Sequence, residues 1–269
     1  MTFDEKYFDI GRLDRLSYGN TCVHHLDPRA KVIATMLFLI TVISFPKYEI
    51  VALAPFFLFP VLLMTLGEIP VLFIVKKVIA VSPFAIFIGI FNPFLDTRIV
   101  AVIQGVSISE GWLSFLSIIL KFALTVSAAL LLIATTSFPG VCHALRRLGF
   151  PPLFVSQLCF LYRYLFVLME EAMRIIRARD MRSFGTRGAG IGVFVRLIGI
   201  LFLRTVDRAE RIYYAMLSRG FQGDIPSLKQ SRIAAADLVF IAAAISFLGV
   251  FRFFRITEGI GRIVQGVFA

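Results

Sequence analysis

The stretch Trp112-Leu-Ser-Phe-Leu-Ser-Ile-Ile-Leu-Lys121-Phe-Ala-Leu-Thr-Val-Ser-Ala-Ala-Leu-Leu-Leu-Ile-Ala-Thr135-Thr-Ser-Phe138 contains a single charged residue, Lys121. A run of about 20 mostly apolar residues is enough for a helix to cross a bilayer. The stretch is therefore predicted to be a transmembrane helix. Lys121 is expected to extend its ammonium group toward the outer face of the membrane, with a functional role as the alternative.

Four other apolar runs indicate the same architecture. Val32–Phe45 and Ile50–Leu66 are predicted to form a helical hairpin, Val78–Phe94 a third span and Ala234–Phe254 the last span. Hydrophobic residues make up 58% of the chain, whereas a soluble domain is usually about 45–50% apolar. The predicted fold class is an all-α membrane protein with about five transmembrane helices and a cytoplasmic domain of long amphipathic coupling helices.

The block Pro139–Arg232 differs from these runs because basic residues interrupt its apolar stretches. Arg196 and Arg204, for example, lie within the apolar stretch Ile191–Val206. A charge at the bilayer centre costs about 2.5–3.5 kcal/mol on insertion scales. We therefore predict amphipathic helices at or below the cytoplasmic interface. The alternative is one more membrane hairpin, formed by Leu153–Met169 and Ile191–Val206, which would give seven spans.

The distribution of charge predicts the orientation. Residues 1–138 carry 10 Lys/Arg against 9 Asp/Glu, and residues 139–269 carry 18 against 8. Because cytoplasmic loops are rich in Lys and Arg, the N-terminus and the basic second half are predicted to be cytoplasmic. Basic residues that alternate with apolar ones at helical spacing argue against a nucleic-acid partner. The predicted divisions are a cytoplasmic segment 1–31, four transmembrane helices 32–138, a coupling-helix domain 139–232, a last span 233–256 and a tail 257–269.

A pattern of thirteen residues occurs twice in the basic half, 37 positions apart, as Ala172–Phe184 and Ala209–Phe221. Each copy ends in Ala-x-x-x-Arg and a small residue: Ala178, Arg182 and Ser183 in the first, and Ala215, Arg219 and Gly220 in the second. Residues four positions apart share a helix face, so each copy is predicted to present an arginine at a helix end. That arrangement favours docking over catalysis.

Other candidate chemistry is sparse. The chain has no Gly-x-x-x-x-Gly-Lys-(Ser/Thr) motif, so no P-loop holds nucleotide phosphates. Cys22, His24 and His25 form a metal-like cluster, but three ligands crowded before an Asp-Pro turn do not converge easily, and we expect no bound metal. Asp237, one turn inside the last span, is expected to reach the interface. Two rival functions are a membrane-embedded enzyme acting on lipid phosphates and a free-standing carrier.

The stretch Leu16–Lys31, LSYGNTCVHHLDPRAK, resembles the N-terminal motif of the transmembrane T-components of energy-coupling factor (ECF) transporters. The residues that carry the family motif are Asp27, Pro28, Arg29 and Lys31. The two Ala-x-x-x-Arg-(Gly/Ser) helix ends resemble the paired coupling motifs of that family, with Ser183 standing where glycine is usual. The Leu-Ser-Tyr-Gly-Asn lead-in is most similar to the cobalt-type, CbiQ-like subgroup.

The resemblance implies a non-catalytic coupling subunit of an ABC importer in the plasma (inner) membrane. Its implied partners are two cytoplasmic ATPases, which bind ATP and Mg²⁺, a CbiM-like substrate-binding membrane subunit (the S-component), a small accessory membrane subunit and membrane lipid. Arg182 and Arg219 would each enter a groove of one ATPase. The implied substrate is cobalt, with nickel or a vitamin as the alternative, because the substrate-binding subunit makes that choice. No cofactor is expected on this chain itself.

Overall fold

The structure of the protein is a computed structural model that describes residues 16–46, 50–95, 99–103, 106–182, 190–223 and 233–253. Its helices are α1 (Cys22–His25), α2 (Pro28–Ile43), α3 (Ile50–Leu53), α4 (Leu58–Leu66), α5 (Val71–Gly89), α6 (Asn92–Leu95), α7 (Glu110–Thr135), α8 (Phe138–Arg147), α9 (Pro152–Arg182), α10 (Ile191–Leu217) and α11 (Ala235–Phe253). The predicted all-α membrane fold is confirmed. The described residues also include one short antiparallel β-hairpin, in which β1 (Ile99–Ile103) pairs with β2 (Val106–Ser109).

The described residues divide into two compact units. The first, which we call the discontinuous unit, holds residues 16–137 and 233–253, so that α1–α7 and α11 belong to it. The second, the inserted unit, holds residues 138–223 with α8, α9 and α10. The predicted divisions of the chain concern the two sides of a membrane, and they stay predictions.

In the discontinuous unit, α2 packs against both α7 and α11, and α5 packs along α7. The buried face of α7 recurs at steps of three, four or seven residues and includes Ser114, Ser117, Leu124, Ala128, Leu131 and Thr135. Small residues on a membrane helix let a neighbouring backbone approach closely. On the other side of α2, the Phe38 ring stacks on Phe59 with ring centroids 4.4 Å apart. The face of α2 that carries Phe38 is therefore fully buried, whereas Met36 and Ile40 on the same helix are exposed.

Four helices are long and apolar enough to cross a membrane: Val71–Gly89, Glu110–Thr135, Pro152–Arg182 and Ala235–Arg252. Three of them correspond to the third, fourth and last predicted spans. The third span begins earlier than predicted, at Val71, because Lys76 and Lys77 lie within the helix instead of before it. Lysine is a good helix former and its long stem can follow an apolar surface to water.

The predicted hairpin of two spans is only partly formed. Helix α2 has 16 residues, about 24 Å at 1.5 Å per residue and shorter than the hydrocarbon core of about 30 Å. The predicted span Ile50–Leu66 is divided into α3, a 3₁₀ turn (Ala54–Phe57) and α4. Pro55 lies in that turn, and proline has no N–H with which to continue an α-helical hydrogen-bond ladder.

The inserted unit consists of α8 followed by two long helices. Phe138 of α8 stacks on Tyr162 of α9 with ring centroids 4.6 Å apart, and α9 packs against α10. Helix α9 has 31 residues and begins with the apolar segment 153–169, the first arm of the extra hairpin considered above. Its length and composition suit a span, so a cytoplasmic position for the whole inserted unit stays a prediction.

Candidate functional site

The two repeated helix ends place their arginines on the surface of the inserted unit. Arg182 is the last residue of α9, and its side chain is exposed. Arg219 follows the end of α10 and is also exposed. Of the predicted neighbours, Ala178 is half-buried and Ala215 exposed, whereas Ser183 lies outside the described residues. The structure therefore gives both arginines the exposure that a docking contact requires.

The residues after α10 explain the order arginine, glycine, phenylalanine. Gly220 has a positive φ of 78°, its N–H donates to the carbonyl of Leu217, and the N–H of Phe221 donates to the carbonyl of Met216. This pair of bonds is the Schellman helix end, in which glycine takes the left-handed position at low cost. The Phe221 ring then meets Phe160 of α9 with centroids 6.1 Å apart. Glycine stops the helix, phenylalanine anchors the stop, and Arg219 is left facing outward.

Other arginines of α9 and α10 have acidic partners. Glu171 accepts a hydrogen bond from Arg204 at 2.6 Å and lies 3.4 Å from Arg174, which also contacts Glu170 at 3.2 Å. Within the part of the chain that the structure describes, Arg182 and Arg219 make no ion pair. The charge at the two repeated helix ends is therefore available to a partner, whereas Arg174 and Arg204 in the middle of the helix pair have carboxylate partners.

An apolar groove of about 530 Å³ lies between α9 and α10. Its lining includes aromatic and aliphatic side chains, among them Leu153, Phe160, Tyr164, Ile212, Met216 and Phe221. Helix α10 has no buried residue along its 27-residue length. A long helix with exposed apolar side chains is typical of a surface that other protein or lipid covers.

The family motif lies at the start of α2 in the discontinuous unit. The Asp27 carboxylate accepts from the N–H of Arg29 at 2.9 Å, and Pro28 is the first helical residue. An acidic N-cap with proline after it is a strong helix start. Arg29 is half-buried and lies 3.7 Å from the Asp27 carboxylate. The predicted motif is thus a capped helix end rather than a ligand site.

Lys31 is almost fully buried, with 4% of its surface exposed. Its ammonium group donates to the carbonyl of Thr135 at 2.8 Å and to the carbonyl of His24 at 3.3 Å. Thr135 ends α7 and His24 lies in the last turn of α1. Carbonyls at helix C-termini lack partners within the helix and carry partial negative charge, so they stabilise a buried cation.

Asp237 is a member of this cluster that the sequence did not predict. It was expected to reach the interface, but only 3% of its surface is exposed. One carboxylate oxygen accepts from the N–H of Asp27 at 2.7 Å, and the other accepts from the N–H of Ala234 at 2.7 Å. A carboxylate that accepts two backbone N–H groups is satisfied without water, which explains the burial. An acid in the first turn of a helix was the available signal.

The Cys22, His24 and His25 cluster is part of the turn before the motif. The Nε2 of His24 bonds to the carbonyl of Leu16 at 2.9 Å, and its Nδ1 bonds to the Thr21 hydroxyl at 2.7 Å. Both ring nitrogens are therefore engaged in holding the turn. A Cβ on Gly19 would come within 2.9 Å of the His24 ring, so glycine at this position lets the chain pass close to the imidazole.

Two further polar groups, Lys121 and Cys142, also have structural roles. Lys121 donates to the carbonyl of Phe45 at 2.6 Å, just beyond the end of α2. Cys142 is buried in the inserted unit, and burial, followed by the neighbouring Cys159 thiol, raises the pKa of Cys142 to about 12. At neutral pH Cys142 is thus a protonated thiol and a poor nucleophile.

Comparison with known proteins supplies a family. Residues 19–231 match the model of the family described as CbiQ, cobalt transport protein. An uncharacterised protein of Methanocaldococcus jannaschii is 30% identical over 90% of this chain and 83% of its own length. The energy-coupling factor transporter transmembrane protein EcfT of Staphylococcus aureus is 31% identical over 77% of this chain and 82% of its own. A putative fused cobalt transport protein CbiMQ of Methanocorpusculum labreanum is 33% identical over 33% of this chain and 15% of its own.

Proposed function

This chain belongs to the CbiQ family of cobalt transport proteins, a multi-pass membrane subunit of an ECF-type transporter, and we propose that it couples ATP hydrolysis to import. In this proposal two cytoplasmic ABC ATPases bind the inserted unit, and the discontinuous unit carries their motion to a substrate-binding membrane subunit. The N-terminus and the inserted unit face the cytoplasm, and the protein lies in the plasma (inner) membrane.

The observation that carries the proposal is the pair of exposed arginines at the ends of α9 and α10, which make no ion pair with any residue that the structure describes. Arginine keeps its charge at any physiological pH, and its planar group can bond a carboxylate through two parallel hydrogen bonds. Two such ends in one chain suit two similar ATPase subunits. Neighbouring arginines such as Arg204 already have carboxylate partners, so the repeated ends are the natural points of contact.

The proposed substrate is cobalt, with nickel or a vitamin as the alternative. The family description and the name of the fused relative both refer to cobalt transport. That name also joins two parts, M and Q, in one polypeptide, which supports a CbiM-like subunit as the substrate-binding partner. A small accessory membrane subunit is the remaining proposed partner.

We propose no catalytic or metal-binding role for this chain. ATP and Mg²⁺ would be held by the ATPases, and the transported ion would be selected by the CbiM-like subunit. In support, both ring nitrogens of His24 are engaged in hydrogen bonds. Burial of the Cys142 thiol, which raises its pKa to about 12, also argues against a nucleophile at that position.

The test is the double substitution Arg182→Ala with Arg219→Ala in the complex co-expressed with its ATPases and membrane partner. Removing one partner of a desolvated charge pair typically costs about 2–5 kcal/mol, which weakens an equilibrium about 30-fold or more. We expect the ATPases to be lost on purification, or ATP hydrolysis to continue without Co²⁺ uptake into proteoliposomes.

The matched control is Arg174→Ala with Arg204→Ala, which removes the same charge from the same two helices. Because those arginines pair within the unit, this variant should keep its ATPases. The docking role is wrong if the Arg182 and Arg219 variant retains both ATPases and normal uptake. Uptake by the purified chain alone, without ATPases, would favour the free-standing carrier.

A further inference from the structure

Among the described residues, the chain passes from the discontinuous unit into the inserted unit after residue 137 and has returned to the discontinuous unit by residue 233. The residues of the discontinuous unit beside this entry and this exit contact the start of α2. Thr135, the last residue of α7, lies beside the entry, and Ala234, just before α11, lies beside the exit. The contacts that hold these two places belong to the discontinuous unit itself. They converge on the segment Asp27 to Lys31, where the family motif lies.

The entry is held by Lys31. Its ammonium group donates at 2.8 Å to the carbonyl of Thr135, three residues before the inserted unit begins at residue 138. The contact is buried, so water does not compete for the carbonyl. A charge-assisted hydrogen bond in a water-excluded site is both strong and directional.

The exit is held by Asp237. Its carboxylate bridges the N–H of Ala234, beside the exit, and the N–H of Asp27 at the cap of α2, each at 2.7 Å. Asp27 is itself 5% exposed. Entry and exit are thus fixed to one helix end by side chains of opposite charge.

We infer that Lys31 and Asp237 are positioning residues for transport: they fasten the entry and the exit described above to the N-terminus of α2, so that displacement of the inserted unit by the ATPases moves the membrane helices. This inference rests on the proposed coupling function. Packed apolar helices can slide past one another by small shear movements. A buried hydrogen bond with a defined direction resists such sliding at the point where force enters.

The chain contains a matched control at the other end of α2. Lys121 lies on α7, the helix that ends at Thr135, and donates to the carbonyl of Phe45 at 2.6 Å. This is also a bond from lysine to a backbone carbonyl between α7 and the end of α2, but it lies far along α7 from the entry. If these bonds only stabilise the fold, loss of Lys31 and loss of Lys121 should have the same effect. If the bond of Lys31 transmits movement of the inserted unit to the membrane helices, only loss of Lys31 should reduce coupling.

The experiment compares Lys31→Met, Asp237→Asn and Lys121→Met in the whole complex reconstituted into proteoliposomes. It measures Co²⁺ taken up per ATP hydrolysed, ATPase content and thermal stability. We expect the ratio of uptake to hydrolysis to fall about tenfold or more in Lys31→Met, the factor associated with one charge-assisted hydrogen bond. Asp237→Asn, which keeps one acceptor oxygen, should show a smaller fall. Lys121→Met should lower stability and leave the ratio unchanged, and Lys31→Arg should restore part of it.

Equal stability losses at Lys31 and Lys121 with an unchanged uptake ratio would overturn the inference. So would failure of both Lys31→Met and Asp237→Asn to assemble while Lys121→Met assembles, because the two residues would then be folding determinants. The coupling function itself is judged on the unsubstituted complex. If that complex lacks ATPases or takes up Co²⁺ without ATP, the coupling function fails, and the positioning role fails with it.

Discussion

His24 fixes the turn before α2 through both of its ring nitrogens. Nε2 bonds to the carbonyl of Leu16 and Nδ1 bonds to the Thr21 hydroxyl, so both ring nitrogens are engaged within the protein. A metal ion would have to displace one of these bonds. Cys22 and His25 are exposed, and they do not share these contacts with His24. The three residues therefore act as parts of a turn, and metal binding by this cluster is not expected.

The prediction at this scale is that replacing the cluster affects stability but not affinity for the ion. In the variant Cys22→Ser, His24→Ala and His25→Ala, loss of the two His24 hydrogen bonds should cost about 1–3 kcal/mol. The KM for Co²⁺ in reconstituted uptake should stay within a few-fold of normal. The control Cys22→Ser with His25→Ala, which keeps His24, should match the parent in both measurements. A large rise in KM in either variant would show that an entry site for the ion had been dismissed.

The sequence contains the local signal for a cap at Asp27 but none for its partner. Asp27, Pro28 and Arg29 follow local rules for a helix start, which need only neighbouring residues. Asp237 lies 210 positions away from Asp27, and no local pattern connects the two. The burial of Lys31 was equally hidden, because a lysine near a helix start is ordinarily solvated. Long-range pairing of polar groups is set by the packing of helices, which the sequence of one segment does not encode.

At the scale of the element, the second repeat is a helix stop built from three residues. The left-handed conformation of Gly220, the backbone bonds from Gly220 and Phe221, and the contact of Phe221 with Phe160 together end α10. Ser183 occupies the glycine position in the first repeat. A residue with a Cβ is about 1–2 kcal/mol less stable in that conformation. The glycine stop is therefore described for α10 alone, because Ser183 lies outside the described residues.

Gly220→Ala should destabilise the end of α10 and weaken ATPase retention. The left-handed φ of 78° costs alanine about 1 kcal/mol relative to glycine, so a thermal shift of a few degrees is expected for a protein of this size. The matched control is Gly199→Ala, within α10, where an added Cβ meets nothing within 4 Å. Alanine there should raise helix stability. Equal melting temperatures for the two variants would show that the glycine stop is not important.

The limits of α7 could be predicted approximately, but the start of α5 and the break within Ile50–Leu66 could not. Long apolar runs decide that a helix forms, and they do so for α7 from Glu110 to Thr135. The second predicted span contains Pro55 and Pro60, and proline can end a helix, kink it or begin the next one. In the structure the chain turns through a 3₁₀ segment at Pro55 and resumes as α4. Which outcome occurs depends on what the neighbouring helices offer.

At the scale of the whole molecule, the charge of α9 and the length of its apolar segment predict different positions of this helix relative to the membrane. The first half of this helix is apolar and its second half is rich in arginine, ending at Arg182. Read by charge, the inserted unit is cytoplasmic; read by length and composition, α9 can cross a membrane. The two interpretations place the connection between α9 and α10 on opposite sides of the bilayer. That connection therefore decides the topology.

Single cysteines at Gly190 and Gln222, in a background lacking Cys22, Cys142 and Cys159, should test the prediction that the inserted unit is cytoplasmic. Gly190 has an extended backbone and open space around an added Cβ, and Gln222 is exposed. Gly223 is unsuitable because its φ of 87° disfavours a side chain. Under the positive-inside rule, an impermeant maleimide should label neither position in intact cells and both after the membrane is opened. A cysteine at Thr97, in the predicted outer loop, is the control that should react in intact cells. Labelling of Gly190Cys but not Gln222Cys from outside would instead establish the extra hairpin, with the first half of α10 returning through the bilayer.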